Sequence, residues 1–401
     1  MSLAATLRTA AVNAFAARLA KLWGTPRVLA VAAALAFGAS GSAQAAGPLD
    51  VRIGFVSPLT GEDANYGRDL ENGVQLAIDE ANAQNLKIGD QTAHFELVPI
   101  DDRSDPRLGV QAAATLANQG VSAVVGHFNS GSAIPASRVY ESAGIPMISP
   151  AATNPVITSQ GFANTFMVIA NDAQNAGIAG AWAVDDMKAK RIAIVDDRSA
   201  FGQGEADVFE RTVRAHGGNV VAREFTQGAT DDFGPQLAKI KAADADLLYF
   251  GGLARQSAAL VKQMKERSMS AQFLGGGGVA NPDFTEAAGA AGEGAMAWEY
   301  GRPLAQLPDG PRFEQAYKSR FGTSVLAYAP FGYDAAWAAI HAMVTAKSAK
   351  PEMYRSALKA ISFDGVTGHI AFEQDGSLKN GASTLWQVKK GVWVPVMTRG
   401  G

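Results

Sequence analysis

Residues Val121 to Thr153 read VSAVVGHFNSGSAIPASRVYESAGIPMISPAAT, and this stretch decides the fold class. The apolar run Ala123-Val124-Val125 gives way to Phe128-Asn129-Ser130-Gly131, and Pro146-Met147-Ile148 gives way to Ser149-Pro150-Ala151-Ala152-Thr153. Between them, Ser132 to Ala143 carries helical spacing, so the segment predicts two buried strands joined by a helix. In open α/β sheets, ligands sit outside the carboxyl ends of the strands. Two successive clusters of hydroxyls and free backbone groups at that edge therefore predict a binding wall. The first cluster also opens a helix, where unpaired N–H groups and the helix dipole favour an anion. A carboxylate is the natural guest.

Working outward, the same alternation holds on both sides. Upstream come a strand at Val51 to Val56, a helix at Tyr66 to Ala83, a strand at Phe95 to Ile100, and a helix at Pro106 to Gln119 with Asp105 as its cap. The order β-α-β-α-β-α-β means a parallel sheet with helices on both faces, complete by about residue 170. The pattern then restarts: helix Ala173–Met187, strand Arg191–Val195, helix Gly204–His216, strand Asn219–Phe225, helix Phe233–Ala242, strand Leu247–Phe250, helix Ser257–Arg267 and strand Gln272–Leu274. After Trp298 come helices at Arg312–Phe321 and Phe331–Ala346, then a terminal pair of strands around Thr367–Phe372 and Thr384–Pro395. The expected fold is α/β, with two doubly wound parallel-sheet lobes joined by a multi-strand hinge. Residues 51–170 with 301–378 form lobe 1, and 171–300 with 379–401 form lobe 2.

At the N-terminus, Arg8, Arg18, Lys21 and Arg27 precede the apolar run Val28–Phe37 and the small-residue end Ser42-Ala43-Gln44-Ala45. That pattern predicts a secretory signal over residues 1–45, because a membrane-spanning helix needs about 20 apolar residues and Gly38 breaks the run. Its removal leaves 31 Lys and Arg against 38 Asp and Glu, a net charge near −7. Such a surface repels nucleic acid and anionic lipid. The chain has no cysteine, which excludes disulfides and a lipidated N-terminal cysteine. The five histidines are scattered with no partner at ligand spacing, so neither a metal nor a cofactor is expected. The expectation is an exported protein that does not insert in the membrane after cleavage.

Ten segments in chain order then carry a specific resemblance: Ile53–Gly61 with Tyr66-Gly67, Asp101–Pro106, Val125-Gly126-His127, Pro135–Ser137, Tyr140-Glu141, Ser149–Thr153, Arg191–Val195, Asp232-Phe233, Phe250–Gly252 and Gly278–Asn281. From about Val51 to Pro395 the chain resembles the periplasmic leucine/isoleucine/valine-binding protein family, the type I substrate-binding components of ABC importers. The resemblance implies a two-lobed periplasmic receptor that buries an amino acid or small carboxylate in its cleft and delivers it to an inner-membrane ABC permease. It assigns the ligand carboxylate to the Ser130 hydroxyl and neighbouring N–H groups, and the ammonium to the Ala151 carbonyl and the Thr153 hydroxyl, with Ala152 between them. Tyr66, Phe128, Asn129 and Tyr328 match positions that flank the ligand side chain.

The departures bear on the ligand. Amino-acid-binding relatives commonly carry an acidic residue at the place of Gly277, and tyrosines at the places of Phe201 and Leu253. Here Gly275 to Gly278 is an unbroken glycine run, and an ammonium buried without a partner costs several kcal/mol. Either Glu299, Asp197 or a water-mediated group replaces the acid, or the ligand has no ammonium. The positions of a cysteine pair found in some relatives hold Ser104 and Asn129.

Other features have two readings. Gly202 and Gly204 follow a strand and open a helix, but Asp207 stands where a dinucleotide turn needs its third glycine, so the turn reads as a cleft edge. His127 beside Ser130 invites a nucleophile and base, but it lacks a nameable orienting partner and reads rather as a strand-end histidine. Arg255 can reach the cleft or face water, the commoner fate of long charged side chains. Trp298 and Tyr300 read as hinge packing, with Trp298 a candidate lid. The competing functions are a transport receptor for apolar amino acids, a receptor for a non-amino carboxylate (aromatic, keto or hydroxy acid) or amide, a sensory module, and an enzyme. No acid–base pair, metal set or nucleophile supports the last.

Overall fold

The computed structural model describes residues 47–226 and 230–401. The expected signal segment lies outside the described residues. Two sheets dominate. The first takes β1 (Leu49–Ser57), β2 (Lys87–Ile88), β3 (Gln91–Asp101), β4 (Ala123–Gly126), β5 (Met147–Ser149) and β6 (Thr165–Met167) in the order β2-β3-β1-β4-β5-β6. The second is built from β7 (Ile192–Asp196), β8 (Val220–Phe225), β9 (Leu247–Gly251), β10 (Gln272–Gly275) and β11 (Met296–Tyr300). A separate hairpin, β12 (Ser362–Gly365) and β13 (Gly368–Ala371), precedes the last two strands, β14 (Ser383–Lys389) and β15 (Val392–Arg399). The second sheet runs β15-β14-β11-β10-β9-β7-β8.

The α/β class expected from sequence is the one observed, with three differences. The sheets are mixed rather than purely parallel, because β2 is antiparallel to β3 and β14 is antiparallel to β11 and to β15. The two terminal segments do not pair with each other: Gly368–Ala371 closes a hairpin on Ser362–Gly365, while Ser383–Lys389 pairs with Val392–Arg399. Met296–Tyr300 is a strand inside the second sheet, so Trp298 is no lid. It is wholly buried and packs edge-on against Trp182 at 6.1 Å. Its alternation with Ala297 and Glu299 was itself a strand signal.

Burial on both faces explains the composition of the central strands. In β7, Ile192 and Ile194 pack into one core with Leu247, Tyr249 and Leu274, whereas Ala193 and Val195 pack into another with Leu248 and Phe250. Successive side chains point to opposite faces, so a strand covered on both sides reads as an apolar run.

Each sheet reverses its strand order once. In the first, the chain passes from β1 to β3 on one side and to β4 on the other. In the second, β8 and β9 flank β7. At such switch points the connections leave a crevice at the carboxyl edge. The loops after β1 and β4, and after β7 and β9, are therefore the ones free to hold a ligand.

After β11 the chain returns to the first sheet. The helix Ala329–Ala346 packs on the helix Ala64–Ala83, with Gly73 at the crossing, where a Cβ would lie 2.0 Å from the Ala329 carbonyl oxygen. Asp69, almost fully buried, anchors the return by accepting the backbone N–H groups of Leu326 (2.9 Å), Ala327 (3.0 Å), Tyr328 (2.7 Å) and Ala329 (2.9 Å), together with the Tyr317 hydroxyl (2.9 Å). Each buried donor left without an acceptor costs about 1–3 kcal/mol. Asp69→Ala should therefore lower stability in urea denaturation by about 3 kcal/mol or more. A loss under about 1 kcal/mol would show that the clamp is not structural.

Candidate functional site

A cleft of about 1180 Å³ opens between the carboxyl edges of the two sheets. The first turn of the helix Ala64–Ala83 after β1 contributes Tyr66, the turn after β4 contributes Phe128 and Asn129 and the first helical residue Ser130, and Ala151 follows β5. The second sheet contributes Phe201 after β7 and Leu253 after β9, and the return segment contributes Tyr328. These are eight of the eleven site residues expected from sequence. Tyr66 and Phe128 stack at 5.6 Å, and Tyr328 meets both edge-on at 6.0 and 5.1 Å. The three rings make an apolar box beside the polar turn.

The polar turn presents donors. Asn129 caps the helix Ser130–Ala143 without a side-chain bond to it, and its Oδ1 has no partner. The Ser130 hydroxyl oxygen accepts the Asn154 N–H at 3.3 Å, which leaves its own proton to donate. His127 behind the turn is fully buried, with Nδ1 at 3.2 Å from Asp102 Oδ2 and Nε2 at 3.2 Å from the Tyr140 hydroxyl. Both ring nitrogens are occupied, so the histidine braces the turn and is no free base. Across the cleft, Arg255 pairs with Glu62 at 2.7 Å and Asp231 at 3.2 Å, while Asn281 donates to the Tyr66 hydroxyl at 3.3 Å. Arg255 thus lies on the helix Ala254–Glu266 with its side chain more than half exposed, as a solvated helix residue, and at the same time ties the two edges of the cleft.

A family model for periplasmic binding proteins matches residues 50–392. The chain belongs to the periplasmic binding protein family. Among its relatives, Leu/Ile/Val-binding protein homolog 1 of Brucella melitensis is 34% identical over 364 residues, which cover 90% of this chain and 95% of that protein. The leucine-, isoleucine-, valine-, threonine- and alanine-binding protein of Pseudomonas aeruginosa is 33% identical over 367 residues, covering 92% and 97%. A solved leucine-binding protein from Thermotoga maritima has a TM-score of 0.81 at 26% identity, covering 87% of this chain and 98% of that one. The family is one of substrate-binding proteins, not enzymes.

The other three expected residues lie behind the cleft lining. Ala152 is buried, and its carbonyl accepts the Ser149 hydroxyl at 2.9 Å. Thr153 Oγ1 sits 3.1 Å from the Tyr300 hydroxyl. Gly277 donates its N–H to Glu205 Oε1 at 2.7 Å, and a Cβ there would fall 2.2 Å from the Tyr300 ring. The place of the family acid is therefore filled by an aromatic ring. Glu299, one candidate to replace that acid, spends its carboxylate on the N–H groups of Gly278 (2.9 Å), Tyr300 (3.2 Å) and Ala280 (3.3 Å). Asp197 does line the cleft and accepts the Ser199 N–H at 2.9 Å.

Sequence reasoning missed Asp172, Glu205 and Tyr300. Asp172 looks like an ordinary first-turn acid after the Asn171 cap. Glu205 gave one signal: it is spaced with Val208 and Phe209 on the apolar side of the helix Ala200–Ala215, where an acid is out of place. Burial pushes the Asp172 and Glu299 carboxyls up to about 7 and Asp334 to about 6. Glu205 is also raised, by burial first and then by the Asp172 charge.

These shifts fix a sign. The folded protein holds protons that the unfolded chain, with carboxyls near ordinary values of about 4, has released. Stability from these groups is therefore present at low pH and lost as pH rises from about 4 through about 7. Ligand-free protein should melt at a higher temperature at pH 5 than at pH 8. The reverse order would contradict the burial of these acids in protonated form.

Proposed function

We propose that the protein is the exported receptor of an ABC importer, that it binds a branched-chain or other apolar amino acid between its two lobes, and that it presents this ligand to an inner-membrane permease. On this reading residues 1–45 are a removed signal, lobe 1 comprises 51–170 with 301–378, and lobe 2 comprises 171–300 with 379–401. The observation that carries it is the cleft itself: a free hydroxyl and a helix N-terminus on one wall adjoin an aromatic box, the chemistry of a carboxylate next to an apolar side chain. The relatives' names support the amino-acid class. Among the described residues no helix is long and apolar enough to cross a membrane.

A receptor for a non-amino carboxylate is the second reading. It is favoured by the missing acid at Gly277 and by the apolar Phe201 and Leu253 facing the box.

A thermal-shift screen over amino, hydroxy, keto and aromatic acids separates the two, since ligand at 100 times its dissociation constant stabilises by about 2.7 kcal/mol. In calorimetry, Ser130→Ala should weaken leucine binding about tenfold or more, the loss of one hydrogen bond to a charged group at ~1.5–3 kcal/mol. Unchanged affinity would remove Ser130 from the site.

A further inference from the structure

Two buried carboxylates stand behind Thr153 and Gly277 without a cation. Asp172 opens the helix Asp172–Asp185 and Glu205 lies on the helix Ala200–Ala215, and neither is exposed to solvent. Asp172 Oδ1 accepts the Tyr300 hydroxyl at 3.2 Å, and Glu205 Oε1 accepts the Gly277 N–H and, at 3.4 Å, the Asn175 amide. Their other oxygens, Asp172 Oδ2 and Glu205 Oε2, have no partner. The fully buried Tyr249 hydroxyl is also unpartnered, and it lies close enough to both carboxylates that their charge raises it well above the usual phenol range, after burial itself. Among the described residues no Lys, Arg or His side chain forms an ion pair with either acid. The glycine run makes the room: a Cβ on Gly276 would fall 2.0 Å from Glu205 Oε2.

The hydroxyls that link Asp172 to the wall have a forced direction when Asp172 is ionised. In that state the carboxylate only accepts, so the Tyr300 O–H must donate to Asp172. The Tyr300 oxygen is then left to accept from Thr153, whose proton points inward. The Thr153 oxygen can consequently offer only lone pairs, two residues beyond Ala151 of the cleft lining. That arrangement suits an ammonium and disfavours a keto oxygen. A buried charge left unpaired costs several kcal/mol, and a ligand cation at Thr153 offsets part of it.

We propose that Asp172, acting on the cleft wall through Tyr300 and Thr153 and reinforced by the adjacent Glu205, supplies the negative charge for the ligand ammonium, and so selects amino acids over their deaminated analogues. The inference rests on the amino-acid reading above. Asp172 and Glu205 are positioning residues: Asp172 acts through the two hydroxyls, and Glu205 through its charge on Asp172 and Tyr300. The other titratable groups around them are Glu299, Tyr249 and Tyr328, with Arg223 more remote.

The test is calorimetry of leucine and its keto analogue, 4-methyl-2-oxopentanoate, on the native protein and on Tyr300→Phe, Asp172→Asn and Glu205→Gln. The native protein should favour leucine about a hundredfold. Each substitution should cut that preference below about tenfold while leaving the keto-acid affinity within about threefold. In the native protein, leucine affinity should fall between pH 8 and pH 5, as the pair takes up a proton and the relay can reverse, whereas keto-acid affinity should not follow. Should a variant fail to fold, Thr153→Val cuts the same relay at its wall end. Full preference retained in the variants, or equal loss for both compounds, overturns the inference while leaving the amino-acid reading intact. No leucine preference in the native protein overturns both.

Discussion

The contact on which the cleft depends is the Asp69 carboxylate gripping four consecutive backbone N–H groups from Leu326 to Ala329. A chain that has just built a second sheet must return to the first, and the last stretch of its return, from Gly322 to Tyr328 between the helices Gly310–Phe321 and Ala329–Ala346, has no regular structure. One buried acceptor satisfies the donors that this irregular stretch would otherwise bury unpaired. Its position also fixes Tyr328, which completes the aromatic box with Tyr66 and Phe128. The close approach at Gly73 brings the two helices together at the same place. Fold and site are thus joined at a single side chain.

From that anchoring follows a division of polarity on the first sheet's wall. The turn after β4 offers donors, the Ser130 hydroxyl and the start of a 14-residue helix. The turn after β5 ends at Thr153, whose hydroxyl is tied inward through Tyr300 to Asp172. Donors and acceptors lie on adjacent strand ends. The buried acids carry a free-energy cost of their own. Protonation as pH falls relieves that cost, and on the proposed reading this links stability at low pH to selectivity at high pH.

What was legible in the sequence was whatever periodicity and edge position determine. The apolar runs at Ala123–Val125 and Ile192–Val195 announced doubly covered strands, and the polar turns after them announced the cleft lining from Phe128 to Ser130. Short strands escaped because Thr165–Met167 offers no turn signal, and Met296–Tyr300 was masked by aromatics that read as hinge packing. The acid that backs the wall escaped for a different reason. A sequence position shows which side chain is missing, as at Gly277, but not which distant side chain fills the space. Here a tyrosine from β11 and a glutamate from a helix 72 residues away do so.

The most direct test of the account is a crystal structure of the protein with leucine. The account predicts one leucine in the cleft, its carboxylate within about 3 Å of Ser130 Oγ, its side chain among Tyr66, Phe128 and Tyr328, and its ammonium at Thr153. A ligand bound in the opposite orientation, or away from the edges of the two sheets, would contradict it.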